Sequence, residues 1–340
     1  MAGSVTLSDV AREAGVSLAT ASRAINGSAN RTVRADLRDR VLAAAAKLRY
    51  TPDANAQAMA RGRTTSLGLV VHDIADPYFS SIAAGVTRAA DRAGLQVTLA
   101  STQHDPSREA GLVDLLKRQR ARAIVIAGGR LDDPETTGEL RDALADYRAV
   151  GGSAAVIGQP VLGVDAVVVA NAQGAADLAR ALYERGYRSF AVLGGPDGHL
   201  TARERREAFV AELAELGVDV PTESVVASAF THEGGEDAMR ALLRAGDLPE
   251  VVFAVNDVMA LGALAAARDA GVEVPRDVAL AGFDDISTLR DVVPPLTTVR
   301  IPLVDIGIAA TELALAEPSD EPRLTHVPTQ VVLRDSTPAR

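Results

Sequence analysis

Carboxylate, amide and guanidinium side chains follow four apolar, strand-like runs of this 340-residue chain. The polar segments are His72 to Phe79, Arg203 to Arg206, Asn256 to Asp257 and Gly282 to Asp285. In open parallel sheets, ligands bind beyond the carboxyl ends of the strands. The shared position of these segments therefore predicts a ligand site at the strand ends.

Each segment also has a purely structural interpretation. Asp76 before Pro77 is typical of a turn that caps a helix, and Asp257 is the expected N-cap of the helix that follows it. The arginines can form a solvated helix face, and Asp284 with Asp285 can belong to a simple loop. Only their common placement favours a ligand site over these alternatives.

Strand-like and helix-like runs alternate along the part of the chain that carries these segments. Predicted strands cover residues 67–71, 96–100, 123–127, 154–157, 166–169, 190–193, 251–255 and 278–281. Predicted helices cover residues 80–93, 107–119, 171–185, 202–216, 233–245 and 257–270. The alternation indicates parallel sheets. There are too many strands for one compact sheet, which favours two lobes.

The segment Val5 to Asn26, VTLSDVAREAGVSLATASRAIN, shows a different pattern. Thr6 with an acid three residues later is typical of a capping box. Gly15 supplies a tight turn because glycine adopts positive φ at little cost, and Ser17 is the expected N-cap of a second helix. Such a hairpin is typical of a helix-turn-helix that enters a DNA major groove, although other small helical hairpins share these caps.

The second helix of this hairpin, Leu18 to Ile25, is amphipathic. Its inward positions are Ala21, Ala24 and Ile25, and its outward positions are Thr20, Ser22, Arg23 and Asn26. A third helix, with apolar residues at helical spacing, would close a small core; these residues are Leu37, Val41, Ala45 and Leu48.

Charge separates the N-terminal segment from the rest of the chain. Residues 1–63 hold ten basic and five acidic side chains, a net charge of about +5, whereas the whole chain carries −10. Concentrated positive charge favours contact with phosphates. Arg31 and Arg34, at the start of the third helix, can take part in such contacts.

A short segment after the third helix has two interpretations. Pro52 stops the third helix, and Ala54 to Arg61 reads ANAQAMAR before Gly62. About eight residues do not hold a helix alone in water, so a flexible linker is the plain interpretation.

Composition and motifs exclude several function classes. The chain has no Cys, which excludes disulfides, thiol catalysis and Cys-based zinc sites. It lacks the dinucleotide, phosphate-loop and nucleophile-elbow motifs, and its five histidines are scattered. We therefore expect neither an enzyme nor a cofactor or metal. No signal peptide or membrane-spanning run is visible, which predicts a cytoplasmic protein without a membrane partner.

Four segments together resemble the LacI/GalR family of bacterial transcription regulators. They are Val5 to Asn26, Val33 to Tyr50, Thr51 to Ala56 and Thr65 to Val70, and the order of elements matches over essentially the full length. The resemblance implies an all-α helix-turn-helix head (1–50), a hinge helix (51–64) and an α/β core (65–340). That core would have two Rossmann-like lobes resembling a type I periplasmic sugar-binding protein.

The resemblance also implies three passages of the chain between the lobes. We place them near Asp165, Pro294 and Thr325. Lobe one would then hold residues 65–165 and 297–325, and lobe two residues 166–296 and 326–336.

Residues matching the family's DNA-contacting positions are spread over the head and hinge. They are Thr6, Ser17, Leu18, Ala19, Thr20, Ser22, Arg23, Asn26, Arg31 and Met59. Leu18 and Ala19 match the positions that set operator preference, where apolar side chains can contact thymine methyl groups; simple packing is the alternative. Met59 stands where Leu is usual and would wedge into the minor groove, where two hinge helices pair.

Residues matching the family's effector site lie in the predicted strand-end segments or close to them. They are Asp76, Tyr78, Phe79, Thr201, Arg205, Phe230, Asn256 and Asp284. An arginine fork with carboxylate and amide groups suits vicinal diols, so a neutral polyhydroxylated ligand is expected. Ala170 stands where many relatives have Asp. Either the ligand lacks the hydroxyl held by that acid, or another group replaces the acid.

The resemblance implies a homodimeric, ligand-responsive repressor of carbohydrate uptake or catabolism genes that binds a palindromic operator. The effector would act allosterically on hinge pairing, and the sequence does not distinguish inducer from corepressor. The alternatives are a nucleoside- or purine-responsive regulator, a cytosolic solute-binding protein, or an enzyme using Asp284 or Asp285 with Arg205. The basic hairpin counts against a solute-binding protein, and the lack of a nucleophile or metal cluster counts against an enzyme.

Overall fold

A computed structural model of the protein describes residues 5–26, 33–51 and 64–340. The chain forms two compact units, Met1–Thr65 and Ser66–Arg340. Arg31, Met59 and the hinge residues 52–63 lie outside the described residues, so their roles stay predictions.

The first unit holds three helices within its described residues. Helix α1 spans Leu7–Ala14, α2 spans Leu18–Asn26 and α3 spans Ala35–Lys47. Small apolar side chains from all three form a buried core; they are Val10, Ala11, Ala14, Ala21, Ala24, Val41 and Ala44. This arrangement confirms the predicted helix-turn-helix with a third closing helix.

The predicted caps are present in the helical hairpin. Thr6 N donates to Asp9 Oδ2 over 3.0 Å, and Asp9 N donates back to Thr6 Oγ1 over 3.4 Å. Gly15 lies in the left-handed region at φ +65°, which glycine adopts without a Cβ clash. Ser17 Oγ accepts from Thr20 N over 3.1 Å at the start of α2. Helix α1 is thus capped at its start, and Gly15 and Ser17 form the turn into α2.

The second unit contains a first sheet of six parallel strands. Their spatial order is β11 (Leu324–Val327), β5 (Asp165–Val169), β4 (Ser153–Ile157), β3 (Ala123–Ala127), β1 (Ser66–Val71) and β2 (Gln96–Ser101). Four helices cover the sheet, namely α4 (Pro77–Arg92), α5 (Arg108–Arg118), α6 (Pro134–Ala149) and α11 (Leu303–Leu315). Leu69 packs in the α4 and α11 layer, whereas Val70 packs in the α5 and α6 layer. Both faces of β1 are thus buried, as parallel strands require.

A second sheet has four parallel strands. Their order is β7 (Val225–Ala227), β6 (Phe190–Gly195), β8 (Val251–Ala254) and β9 (Ala279–Ala281). The associated helices are α7 (Asn171–Glu184), α8 (Leu200–Glu215), α9 (His232–Ala245) and α10 (Asp257–Asp269). An antiparallel pair, β10 (Thr298–Arg300) and β12 (Gln330–Val332), adjoins this sheet through a bridge between Ala281 and Thr297. The two lobes confirm the predicted fold class.

The lobe boundaries differ slightly from the predicted ones. Strand β5 pairs with β4 in the first sheet, so the first passage follows Val169 and not Asp165. Strand β10 adjoins the second sheet, so the second passage follows Arg300 and not Pro294. The third follows β11, which ends at Val327. An apolar strand does not reveal which of two sheets it will join, because burial on both faces gives the same pattern in each.

Helices α4 and α11 approach each other most closely at two glycines. A Cβ on Gly85 would lie 2.0 Å from the carbonyl oxygen of Val304, and one on Gly307 would lie 2.3 Å from the carbonyl oxygen of Ile82. These contacts leave no room for a side chain.

Gly85→Ala should therefore lower the free energy of unfolding by about 1–3 kcal/mol, the cost of overpacking a close helix contact. Gly138→Ala, in α6, is the matched control because a Cβ added at Gly138 would meet no heavy atom within 4 Å. It should raise stability by roughly 0.5–1 kcal/mol through helix propensity. Urea unfolding measures both, and equal effects would contradict the close-contact argument.

Candidate functional site

A cavity of about 340 Å³ lies between the two lobes of the second unit. All eight residues of the predicted effector site line it, and they come from both lobes; they are Asp76, Tyr78, Phe79, Thr201, Arg205, Phe230, Asn256 and Asp284. Segments far apart in sequence thus meet because the carboxyl ends of both parallel sheets face the same cleft.

Arg205 is a buried member of the site, with 2% of its surface exposed. Its Nε donates to Asn171 Oδ1 over 2.9 Å and its Nη1 donates to the Val255 carbonyl over 2.8 Å. Its guanidinium carbon lies 3.8 Å from the ring centre of Phe283. A solvated helix face is therefore the wrong interpretation for Arg205. By contrast, the neighbouring arginines form more exposed ion pairs with single carboxylates.

Asp284 is buried opposite Arg205 with an unusual backbone. Its φ is +124°, and its N–H donates to the Val299 carbonyl over 2.8 Å. Arg205 Nη2 lies 2.9 Å from Asp284 Oδ1. This ion pair supplies the buried carboxyl with its charge partner, although its angles fall outside those of a regular hydrogen bond. Burial raises the pKa of Asp284 to about 7, although the Arg205 charge lowers it.

The cap of α10 differs from the predicted one. Asn256 Oδ1 accepts from Met259 N over 2.8 Å, so Asn256 is the N-cap and the assignment of Asp257 was wrong. Asp257 is instead the first helical residue. It is buried and accepts hydrogen bonds from the Thr298 hydroxyl (2.7 Å) and the Ile286 N–H (2.9 Å). Thr298 begins β10 and Ile286 lies beyond β9, so local sequence around Asp257 does not reveal these partners.

Asp76 satisfies both of its predicted interpretations. Its Oδ1 accepts from Tyr78 N over 2.8 Å and caps α4, and the same residue lines the cavity. Burial raises its pKa, and backbone hydrogen bonding opposes this. The Tyr78 and Phe79 rings meet edge to face at 5.0 Å. The first loop thus presents one carboxylate and two aromatic rings.

An aromatic stack forms part of the wall contributed by lobe two. The rings of Phe230 and His199 stack at 4.5 Å with 23° between their planes. His199 Nδ1 accepts from Ala202 N over 3.3 Å at the start of α8. Burial lowers the pKa of His199 to about 3, so the ring is neutral near pH 7. Thr201 Oγ1 accepts from Gln159 Nε2 over 3.0 Å.

Sequence reasoning placed His72 in a strand-end segment but missed other lining residues from lobe one, including His104, Glu109 and Arg130. Arg130 forms a two-pronged ion pair with Glu109, with Nη2 to Oε1 at 2.7 Å and a second, shorter contact. Burial raises the Glu109 pKa, but hydrogen bonds from His72 and Arg130 outweigh it, so the pKa is lowered overall. His104 follows β2 and could have been found by the same strand-end rule. Glu109 lies within a helix and gave no such signal.

The two lobes also touch directly beside the cavity. Leu200 N donates to the Arg130 carbonyl over 2.9 Å, and Asp132 N donates to the Gly198 carbonyl over 2.7 Å. An ion pair of 2.7 Å between Arg203 Nη1 and Asp132 Oδ2 reinforces them. We call these contacts, between residues 130–132 and 198–203, the lobe strap.

The head presents a surface on α2 that is free of core contacts. Leu18 is 51% exposed, which argues against a packing role for it, and Ala19 is also exposed. Thr20 shares a 2.9 Å hydrogen bond with Ser17. Arg23 makes no hydrogen bond or ion pair with any described residue, so its charge is available to an outside partner.

Other polar positions of the head have intramolecular partners. Arg34 pairs with Asp36 at 2.9 Å, and Lys47 pairs with Glu13. Asn26 Nδ2 donates to Ser22 Oγ over 3.3 Å. Arg23 therefore differs from Arg34 and Lys47 in having no intramolecular partner among the described residues.

Comparison with known proteins matches both units. Residues 6–53 match the model for bacterial regulatory proteins of the lacI family, and residues 179–337 match a periplasmic binding protein-like domain. The regulator GalS of Salmonella typhimurium is 35% identical over 92% of this chain and 89% of its own length. DegA of Bacillus subtilis is 32% identical over 89% and 88%. The chain belongs to the LacI family of bacterial transcription regulators.

Solved structures of LacI-family proteins agree along nearly the full chain. A lac repressor dimer bound to operator and an anti-inducer matches with a TM-score of 0.83 at 25% identity, covering 99% of this chain and 100% of the other. A complex of the regulator CelR with cellobiose matches with a TM-score of 0.70 at 29% identity, covering 98% and 99%. As a LacI-family member, the chain is a ligand-responsive, DNA-binding transcription regulator. Its curated relatives are transcription regulators rather than enzymes.

Among the described residues of this LacI-family chain, no helix combines the length and apolar character that a membrane crossing needs.

The buried carboxyl of Asp284 should make the stability of the protein depend on pH. Its pKa rises from an ordinary 3.8 to about 7 on folding, so the unfolded chain releases the proton first as pH rises. The contribution of this carboxyl to the free energy of unfolding should therefore decrease as the pH rises from about 4 to 7.

Asp284→Asn cannot titrate, so its free energy of unfolding should decline less steeply between pH 5 and 8. Urea unfolding across that range gives the slope. The slope is the readout because the variant also leaves Arg205 without its charge partner, which lowers stability at every pH. Parallel slopes for the two proteins would refute the assignment.

Proposed function

We propose that the cavity binds a neutral, polyhydroxylated small molecule, a sugar or sugar derivative, and that this ligand controls DNA binding by the head. The observation that carries this proposal is the convergence of the Asp76, Asn256 and Asp284 side chains on one cavity between the lobes. A ligand hydroxyl can donate a hydrogen bond to a carboxylate and accept one from an amide.

Other polar groups of the cavity support a hydroxylated ligand. Asn256 uses its Oδ1 as a cap, which leaves its NH₂ without a partner among the described residues. Asp76 likewise uses one carboxylate oxygen as a cap and keeps the other. Acceptors and a donor at fixed positions suit alternating hydroxyls on a ring.

The charges of the cavity favour a neutral ligand over an anion. Its two arginines are already paired, Arg205 with Asp284 and Arg130 with Glu109. Neither guanidinium is left as an uncompensated charge for a phosphate or carboxylate. The CelR complex with cellobiose shows that a related protein holds such a sugar.

A nucleoside is the second candidate. Tyr78 and the Phe230–His199 stack offer flat aromatic faces that can cover a base as well as a sugar ring. Ala170 is compatible with either class because it is not among the residues lining the cavity.

We propose that the chain binds a palindromic operator as a homodimer, with 1–50 as the head, 51–64 as the hinge and 65–340 as the effector and dimerisation core. The related lac repressor is a dimer on its operator, and two half-sites require two heads. Leu18 and Ala19 would contact bases through apolar groups, and Arg23 would bind phosphate or a base edge. Such a regulator acts in the cytoplasm, where its operator lies.

Arg23→Ala should abolish specific operator binding in a fluorescence-anisotropy titration at fixed salt, since it removes the free cation of α2. Its ligand response should be unchanged because the cavity is in the other unit. Arg34→Ala is the matched control, because Arg34 is already paired with Asp36. Arg34→Ala should lose less operator affinity than Arg23→Ala. An Arg23 variant with wild-type operator affinity would refute the proposed DNA surface.

A thermal-shift screen of monosaccharides, disaccharides including cellobiose, and nucleosides should yield a ligand that raises the Tm. Asn256→Ser keeps a side-chain cap for α10 but removes the amide donor, so the shift from that ligand should shrink to a small fraction. Gln173→Ala, an exposed change on α7 that removes only a contact with Asp177, should keep the full shift. If only anionic compounds raised the Tm, the neutral-ligand proposal would be wrong.

A further inference from the structure

Five side chains and one backbone N–H group form an unbroken chain of polar contacts from the cavity to the opposite lobe. We call it the relay, and its members in order are Asp284, Arg205, Asn171, Glu204, Gln159 and Arg130.

The centre of the relay depends on the amide of Asn171. Its Oδ1 accepts from Arg205 Nε over 2.9 Å, while its Nδ2 donates to Glu204 Oε2 over 3.0 Å. The amide can satisfy both neighbours in only one orientation, since one is a donor and the other an acceptor. Asn171 is buried, with 6% of its surface exposed. The position of the guanidinium and the position of the Glu204 carboxylate are therefore linked.

The next step of the relay crosses between the lobes. Gln159 follows β4 of the first lobe, and its Nε2 donates to Glu204 Oε1 over 3.2 Å and to Thr201 Oγ1 over 3.0 Å. Its Oε1 accepts from the backbone N–H of Arg130 over 3.1 Å. Arg130 in turn belongs to the lobe strap, through its carbonyl. Gln159 and Glu204 thus join the strap to the groups that hold Asp284.

We propose that Gln159, Glu204 and Asn171 are positioning residues that transmit the state of the ligand site at Arg205 and Asp284 to the contact between the lobes. This inference rests on the proposed effector cavity. Neither Gln159, Glu204 nor Asn171 lines that cavity. A ligand hydroxyl that binds Asp284 changes the position of Arg205. The hydrogen bonds of the relay then pass this displacement to the lobe strap. Such a link is a coupling free energy between sites, which must show as non-additive effects.

Hydrogen exchange of two strap amides tests the relay in the full-length protein without ligand. The amides of Asp132 and Leu200 are bonded across the lobes, so their exchange reports opening of the strap. In Glu204→Gln, an NH₂ group replaces one of the two carboxylate oxygens. The side chain then no longer offers a separate acceptor oxygen to each of the Asn171 and Gln159 amides. We expect both strap amides to exchange at least five-fold faster, while the Ile126 amide inside the first sheet is unchanged. Glu207→Gln, an exposed change on the same helix, is the matched control and should leave the strap unchanged.

The decisive comparison adds Asp284→Asn at the other end of the relay. If the relay transmits, this variant also speeds exchange of the strap amides, and the double variant is no faster than the faster single one. Unchanged strap amides in either single variant, or effects that multiply in the double variant, would overturn the proposal. Because no ligand is present, such a failure leaves the effector proposal standing. Conversely, failure of the ligand screen would refute the effector proposal without altering these exchange rates.

Discussion

The buried ion pair between Arg205 and Asp284 is the constraint on which the ligand site depends. A guanidinium taken out of water is costly unless its donors are satisfied, and here they reach Asn171, the Val255 carbonyl and Asp284. These partners follow β5, β8 and β9, so one side chain ties together three strand ends. Asp284 in turn is held by burial at a pKa of about 7. The guanidinium of Arg205 is therefore held from three sides, and Asp284 is held by it at the edge of the cavity.

Helix caps supply much of the polar lining of the cavity. Asp76, Asn256 and His199 each accept a backbone N–H at the start of a helix and also face the cleft. This dual use follows from the fold, because in parallel α/β lobes helices begin near the carboxyl ends of strands. A cap engages one acceptor atom and leaves the rest of the side chain for a ligand. Asp76 is consequently both a helix cap and a residue that lines the cavity.

Helices and strands with a clear apolar periodicity were predicted from the sequence. Two helices without such a periodicity were missed. The helix Leu303–Leu315 was missed because it lies between α4 and the first sheet, so its apolar residues are not confined to one face. The helix Pro134–Ala149 was missed because few apolar side chains mark it, Leu140, Leu144 and Tyr147 being its buried ones. Placement at strand ends identified part of the set of residues that line the cavity. The Glu109–Arg130 pair was beyond reach because its partners meet only in the folded lobe.

Helix α8 joins the proposed ligand site to the contact between the lobes. Its first two turns and cap carry His199, Thr201, Arg203, Glu204 and Arg205, which face the cavity, the strap or the relay. Side chains on adjacent turns of a helix keep fixed spacings, since the backbone hydrogen bonds set a rise of about 1.5 Å per residue. A movement of α8 as a whole would therefore displace Thr201, Arg203 and Arg205 together, and with them the bonds to Gln159 and Asp132. One helix thus bears contacts with the cavity and with the opposite lobe, so a ligand that favours one position of α8 would also favour one arrangement of the lobe contact.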